Sequence, residues 1–238
     1  MTMMMTPTTT AILTVSPSEP QFTADAELYF LPAGHFLFRQ RTERGTESKF
    51  VTLADVAAAF TKIEVDSGWT VPGVQRHGYG KDGPWFVYWQ PPQIVKINFD
   101  EGDHMDTLSV PIPATVLIGS GNRYRMVALN TLSGGFYPRA EIFNAPFPNI
   151  HSDNSVCWGN NTPPESNPRN APKAWRLFFE AAFNNHLVSG KSKRCKDDIR
   201  ILLRKLAGKK AKAYPVKDLV QSGRQTVASM LRQMVGAE

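Results

Sequence analysis

The sequence predicts an α+β protein: an antiparallel four-stranded meander flanked by helices, with a disordered N-terminal tail and a basic helical C-terminal extension. Two observations carry this. From Pro84 onward, four runs rich in β-branched and aromatic residues follow one another, W-F-V-Y-W-Q, Q-I-V-K-I-N-F, A-T-V-L-I-G and Y-R-M-V-A-L, with turn residues between them. On both sides of this region the apolar residues recur at helical spacing instead. Strands joined by short turns pair antiparallel, because a parallel pair needs a long crossover.

The 238 residues can bury a full core, and 42% hydrophobic with 20% charged residues is an ordinary globular composition. We expect a tail over 1–25, one domain over 26–190 and an extension over 191–238. The opening M-T-M-M-M-T-P-T-T-T has no basic leader and no small-residue cleavage site, so it reads as a polar tail, not a signal peptide. No apolar run approaches the roughly 20 residues that span a bilayer. The two cysteines, Cys157 and Cys195, lie in unlike surroundings. In a chain without a leader this points to reduced thiols and a cytoplasmic setting, although a bridge between them stays open.

Order is expected from about Ala26, where A-E-L-Y-F-L-P and H-F-L-F-R-Q-R make two short strands broken at Pro32-Ala33-Gly34. Thr52 is a good N-cap, and Leu53, Val56 and Phe60 give a helix after it. Gly68 to Gly83, rich in Gly, Pro and aromatics, is expected to be loop. The four strands follow, with Ser120-Gly121-Asn122 as a hairpin turn. F-Y-P-R-A-E-I-F-N is a further extended piece. After the proline-rich stretch Thr162 to Pro172, a helix is expected to run to His186, with Trp175, Phe178, Phe179 and Phe183 as its apolar face. Asp197 to Leu206 is a basic amphipathic helix with Ile199, Leu202, Leu203 and Leu206 inward. Gln225 to Val235 is another, with Val227, Leu231 and Met234 inward.

The net charge of +6 is uneven. Residues 191–238 hold thirteen Lys/Arg against four Asp/Glu, so the rest of the chain is slightly acidic. Such a segment is either a solvated helical face or a docking surface for an acidic protein or nucleic acid. Tyr214 is its only aromatic residue, which argues against stacking on single-stranded bases.

Chemistry is expected in Asn144 to Asn161, N-A-P-F-P-N-I-H-S-D-N-S-V-C-W-G-N-N. A cysteine that accepts an acyl group needs access, thiolate character and a donor for the oxyanion. The Asp153-Asn154-Ser155 turn would lift Cys157 off the sheet, Ile150 and Val156 would pin the segment, and Gly159 would let the backbone leave. Asn149 offers a side-chain amide. On these features alone a buried structural cysteine is the competing reading. No Cys/His cluster has zinc spacing and no phosphate-binding G-x-x-x-x-G-K-[ST] loop is present, so no metal or nucleotide cofactor is expected.

The register of P-F-P-N-I-H-S-D-N-S-V-C-W resembles the active-site segment of ubiquitin-conjugating enzymes: His-Pro-Asn, seven residues, then Cys, with Gly three before the Cys. Pro148 and Asn149 keep that register with Cys157, Asn154 stands at the glycine position, and Phe147 stands where the histidine is expected. The family's Trp-x-Pro after the cysteine is absent, and the loop Thr162 to Pro172 lies there instead. The strand order agrees over about Pro84 to Leu187. W-F-V-Y-W-Q-P-P, V-C-W-G and A-W-R-L-F-F-E-A-A-F-N-N-H resemble, more narrowly, the prokaryotic members known as PRTRC system protein B. The resemblance implies a ubiquitin-conjugating-enzyme-like fold and a thioester on Cys157, with Asn149 stabilising the oxyanion. It also implies His186 as a substitute for the missing histidine. The partners implied are a ThiF-related activating enzyme, a small ubiquitin-like protein and a JAB-type metallopeptidase-like protein. The alternatives are an inactive scaffold of the same fold or a nucleic-acid-binding accessory protein of a plasmid system.

Overall fold

The computed structural model describes residues 26–56, 70–131 and 135–236. The chain divides into two compact units, residues 1–67 and 68–238.

The first unit holds a three-stranded antiparallel sheet: β1 (Ala26–Leu31), β2 (His35–Thr42) and β3 (Gly45–Val51). The break expected at Pro32 is a 3-10 turn over Pro32–Gly34. β3 lies in a stretch that reads as merely polar, G-T-E-S-K-F-V, and pairs with β2 along its whole length. Thr52 caps the helical residues 53–56, its Oγ1 accepting from the Asp55 N–H at 3.1 Å. Phe60 lies outside the described residues, as does the expected N-terminal tail.

In the second unit the expected strands are all present as β5 (Gly83–Gln90), β6 (Gln93–Asp100), β8 (Ala114–Ser120) and β9 (Arg123–Leu129). They do not form one four-stranded meander. β5, β8 and β9 join β4 (Val74–Gly80), β10 (Glu141–Asn144) and β12 (Gln221–Thr226) in a six-stranded antiparallel sheet ordered β12-β10-β9-β8-β5-β4. β6 instead pairs with β7 (Met105–Ile112), and with the short β11 (Ala182–Phe183), in a second sheet.

The reason lies in the alternation. Phe86, Tyr88, Leu117, Tyr124, Met126 and Ala128 point to one face of the large sheet, into a core shared with Val95, Ile97, Phe99, Val110 and Ile112 of the small sheet. Trp85, Val87, Val116, Ile118, Val127 and Leu129 point to the other face. β8 is buried at all seven positions because both faces are covered. β4 occupies the stretch expected to be loop. It is an edge strand that is mostly exposed, so it shows no apolar run, and the Trp85 indole lies where a Cβ on Gly78 would stand. The β8–β9 turn is as expected, with Gly121 at φ 58°.

Among the described residues of the second unit, three helices cover its two sheets. α1 (Ala171–Glu180) buries Trp175, Phe178 and Phe179 in the shared core, but it stops six residues before His186. Ala181 is extended, Asn98 Nδ2 donates to the Glu180 carbonyl at 3.1 Å, and Ala182-Phe183 run parallel to β6. Phe183 therefore belongs to a strand, although its spacing fits the helix. α2 (Ile199–Gly208) buries Ile199, Leu202, Leu203 and Leu206 against the shared core and is capped by Asp198. α3 (Val227–Val235) covers the other face through Val227, Met230, Leu231 and Met234. Thr226 and Ser229 form its capping box.

Candidate active site around Cys157

The segment leaves β10 and passes through Ala145, Pro146, Phe147 and Pro148, all buried. Phe147 is 0% exposed and meets Phe178 and Phe179 edge to face, with centroids 6.1 and 5.1 Å apart. The position where the resemblance expects a histidine is thus filled by a hydrocarbon side chain of the main core.

Asn149 and Asn154 are both left-handed, at φ 59° and 67°. Asparagine tolerates this conformation better than other residues with a Cβ. Between them the chain makes a tight reversal. Ile150 bridges Val156, the His151 N–H donates to the Ser155 carbonyl at 2.9 Å, and the Asn154 N–H donates to the His151 carbonyl at 2.9 Å. Asp153 Oδ1 accepts from the Ser155 N–H at 3.0 Å and its Oγ at 2.6 Å. These bonds, the hydroxyl's first, hold the Asp153 carboxyl below its usual pKa. The turn is stitched to β9 by Met126 N–H to the Asn154 carbonyl and Val156 N–H to the Tyr124 carbonyl, both 2.9 Å. Asn154 Nδ2 also donates to Ser222 Oγ at 2.7 Å, reaching β12.

Cys157 follows, half-buried and unbridged. Its N–H donates to the Asn149 carbonyl at 2.8 Å, and the Asn149 N–H donates to the His186 carbonyl at 3.4 Å. The three residues singled out in the sequence are therefore joined by main-chain hydrogen bonds. The Asn149 side chain is 9% exposed for the whole residue, and its Nδ2 donates to the Ala182 carbonyl at 3.1 Å. One of its two amide hydrogens is thus committed to β11. His186 is not at the end of a helix but on an exposed turn after β11, its N–H accepted by Asn184 Oδ1 at 2.8 Å. Its ring lies 6.5 Å from that of His151, nearly perpendicular.

Two features of the site carried no signal in the sequence. Lys191 is 4% exposed, and its Nζ donates to the Ile150 carbonyl at 2.6 Å. Burial draws its pKa down from 10.5 to about 8. Forty-one residues separate the two partners, so no local pattern announces the bond. The second is an open cavity of about 280 Å³, lined by Tyr124, Arg125, Asp153, Ser155, Trp158 and Met234 among others. Trp158 packs edge to face on Tyr124 and Phe178, at 5.2 and 6.4 Å. The proline-rich stretch crosses the β8–β9 turn, where Pro164 accepts from the Tyr124 hydroxyl and Ser166 N–H donates to the Gly121 carbonyl at 3.3 Å.

Among the described residues no group of three or more His, Cys, Asp or Glu side chains is placed to hold a metal ion. Nor is any helix there long and apolar enough to cross a membrane. Residues 50–222 match the family model described as prokaryotic E2 family D. No curated protein and no solved structure matches the chain.

Proposed function

Because the chain belongs to prokaryotic E2 family D, a ubiquitin-conjugating-like family, we propose that Cys157 accepts a ubiquitin-like protein as a thioester and passes it to an amine. Cys157, as its thiolate, attacks the carbonyl carbon of a glycyl thioester on a ThiF-related activating enzyme. A new C–S bond forms, the old one breaks, and the activating enzyme's cysteine leaves as thiolate. An acceptor amine then attacks the same carbon, the Cys157 thiolate leaves, and the amine loses a proton, which we assign to His186.

The observation that carries this reading is the bond from Cys157 N–H to the Asn149 carbonyl, which sets the thiol and the amide-bearing residue side by side on one reversal. Asn149 Nδ2 bonds Ala182 with one hydrogen and has a second to give. An amide already fixed on one side is a preorganised donor for an oxyanion.

More narrowly, we assign the protein to the protein B role of a PRTRC cassette. Neighbouring genes for the activating enzyme, the ubiquitin-like protein and a JAB-type metallopeptidase-like protein are the check on that. Residues 191–238 would dock the activating enzyme or, alternatively, nucleic acid. Binding to DNA that falls steeply with salt would favour the latter.

The test is incubation with the activating enzyme, ATP and the ubiquitin-like protein. Wild type should form an adduct cleaved by reductant, and Cys195→Ser should form it equally. A thiol-labile adduct on Cys157→Ser overturns the assignment. The second reading, a scaffold that binds the ubiquitin-like protein without accepting it, is favoured by Phe147, which leaves no polar group at the histidine position. A Cys157 that resists iodoacetamide in the native protein supports that reading.

A further inference from the structure

On the reading that Cys157 is the acceptor, we infer that Lys191 is a positioning residue, its side chain holding the Ile150 carbonyl and so the backbone that carries Asn149 to Cys157. Lys191 is buried in the second unit, and among the described residues no carboxylate lies within ion-pair distance of it. The charged and titratable groups around it are engaged elsewhere or exposed. Arg194 on its own segment faces Asp218 at 3.8 Å. Lys193 donates to the Lys217 carbonyl at 3.2 Å, and the N–H of Cys195 donates to Ser192 Oγ at 2.8 Å. On the site loop His151, next to Ile150, is exposed. Among the described residues the Lys191 ammonium has one hydrogen-bond partner, a carbonyl of the candidate site.

The segment that delivers Lys191 is itself anchored. Gly190 accepts from Asn144 Nδ2 at 3.1 Å, and its N–H donates to the Lys196 carbonyl at 2.8 Å. From there the lysine reaches the residue after Asn149. A left-handed asparagine persists where its surroundings over-determine it. Asn149 is held by Ala182 and His186 on its N-terminal side and its side chain, by Cys157 at its carbonyl, and by Lys191 one peptide further on. Desolvating an ammonium for a single carbonyl is unfavourable for stability alone. Its use here is to fix the orientation of the peptide between Asn149 and Cys157.

The test reads the loop without any ubiquitin-like partner. Amide hydrogen exchange and iodoacetamide labelling of the full chain are compared in wild type, Lys191→Met and Lys191→Arg. We expect Lys191→Met to speed exchange at the Cys157 and Asn149 amides by about tenfold, with Leu117 in β8 unchanged. Labelling of Cys157 should change by at least about threefold relative to Cys195, and Lys191→Arg should restore both toward wild type. Equal exchange in wild type and Lys191→Met overturns the inference, and so does acceleration spread evenly to Leu117. If Lys191→Met does not fold, Lys191→Gln is judged by the same criteria. Failure of thioester formation with the clamp effect intact counts against the proposed function alone.

Discussion

The N–H of Cys157 donates to the carbonyl oxygen of Asn149 at 2.8 Å, and it can do so because Asn149 is left-handed, at φ 59°. An extended residue at that point would send its carbonyl elsewhere and carry the cysteine away from the amide. The thiol's place therefore follows from the backbone conformation of Asn149.

Asn149→Ala should cost about 2 kcal/mol, from the lost bond to Ala182 and the strain of a left-handed alanine. Asn149→Gly relieves the strain and should cost roughly 1 kcal/mol less. Urea denaturation of the two variants checks the ordering. Both lack the amide, so both should fail equally in discharge of the thioester, and recovery of activity by glycine would show that the amide has no part in it.

Restoring the histidine should not help. Phe147→His places a polar ring among Phe178 and Phe179, with no hydrogen-bond partner supplied by them, and should destabilise by about 2–4 kcal/mol. A thermal melt checks the cost, and single-turnover loading at a temperature where both proteins are folded checks that the rate does not rise.

Lys191 makes stability depend on pH on the alkaline side. Its pKa is about 8 in the fold against 10.5 for an ordinary lysine, so between these values the unfolded chain holds the extra proton. Stability should then rise with pH across that window, by up to about 3 kcal/mol. Denaturation of wild type and Lys191→Met at pH 7.5, 9 and 10.5 should show this rise in wild type only.

The Asp153 turn responds at the acid end. Its carboxyl titrates below the usual carboxylate range because Ser155 donates to it twice. The contribution is present above the ordinary value of about 3.9 and is lost as pH falls through the depressed one. Exchange of the Ser155 amide should accelerate below that point in wild type and show no such step in Asp153→Ala.

What the sequence disclosed depended on how local the cause was. The hairpin at Gly121 and the inward faces of α2 and α3 were readable, because each rests on a few neighbouring residues. The end of α1 was not, since Phe183 sits at helical spacing and only pairing with Phe99 in β6 makes it a strand. β4 and β12 hid because neither buries a residue and neither presents an apolar alternation. At the candidate site, spacing singles out Cys157, Asn149 and Asn154 as the proposed residues. The engagement of the Asn149 amide by Ala182, and of Ile150 by Lys191, joins distant stretches that no pattern links.

The position of β12 and α3 has a consequence for biogenesis. Glu141 in β10 pairs with Thr226, and among the described residues α3 supplies the helical cover for Val116, Ile118, Val127 and Leu129. During synthesis these strands emerge long before residues 227–235, so the nascent chain carries a bare, β-rich apolar face for that interval. A product cut off before α3 would keep that face permanently and present a template for aggregation. Removal of the basic segment to study its charges would thus report on solubility first, and charge-neutralising substitutions at its exposed lysines are the sounder way to study them.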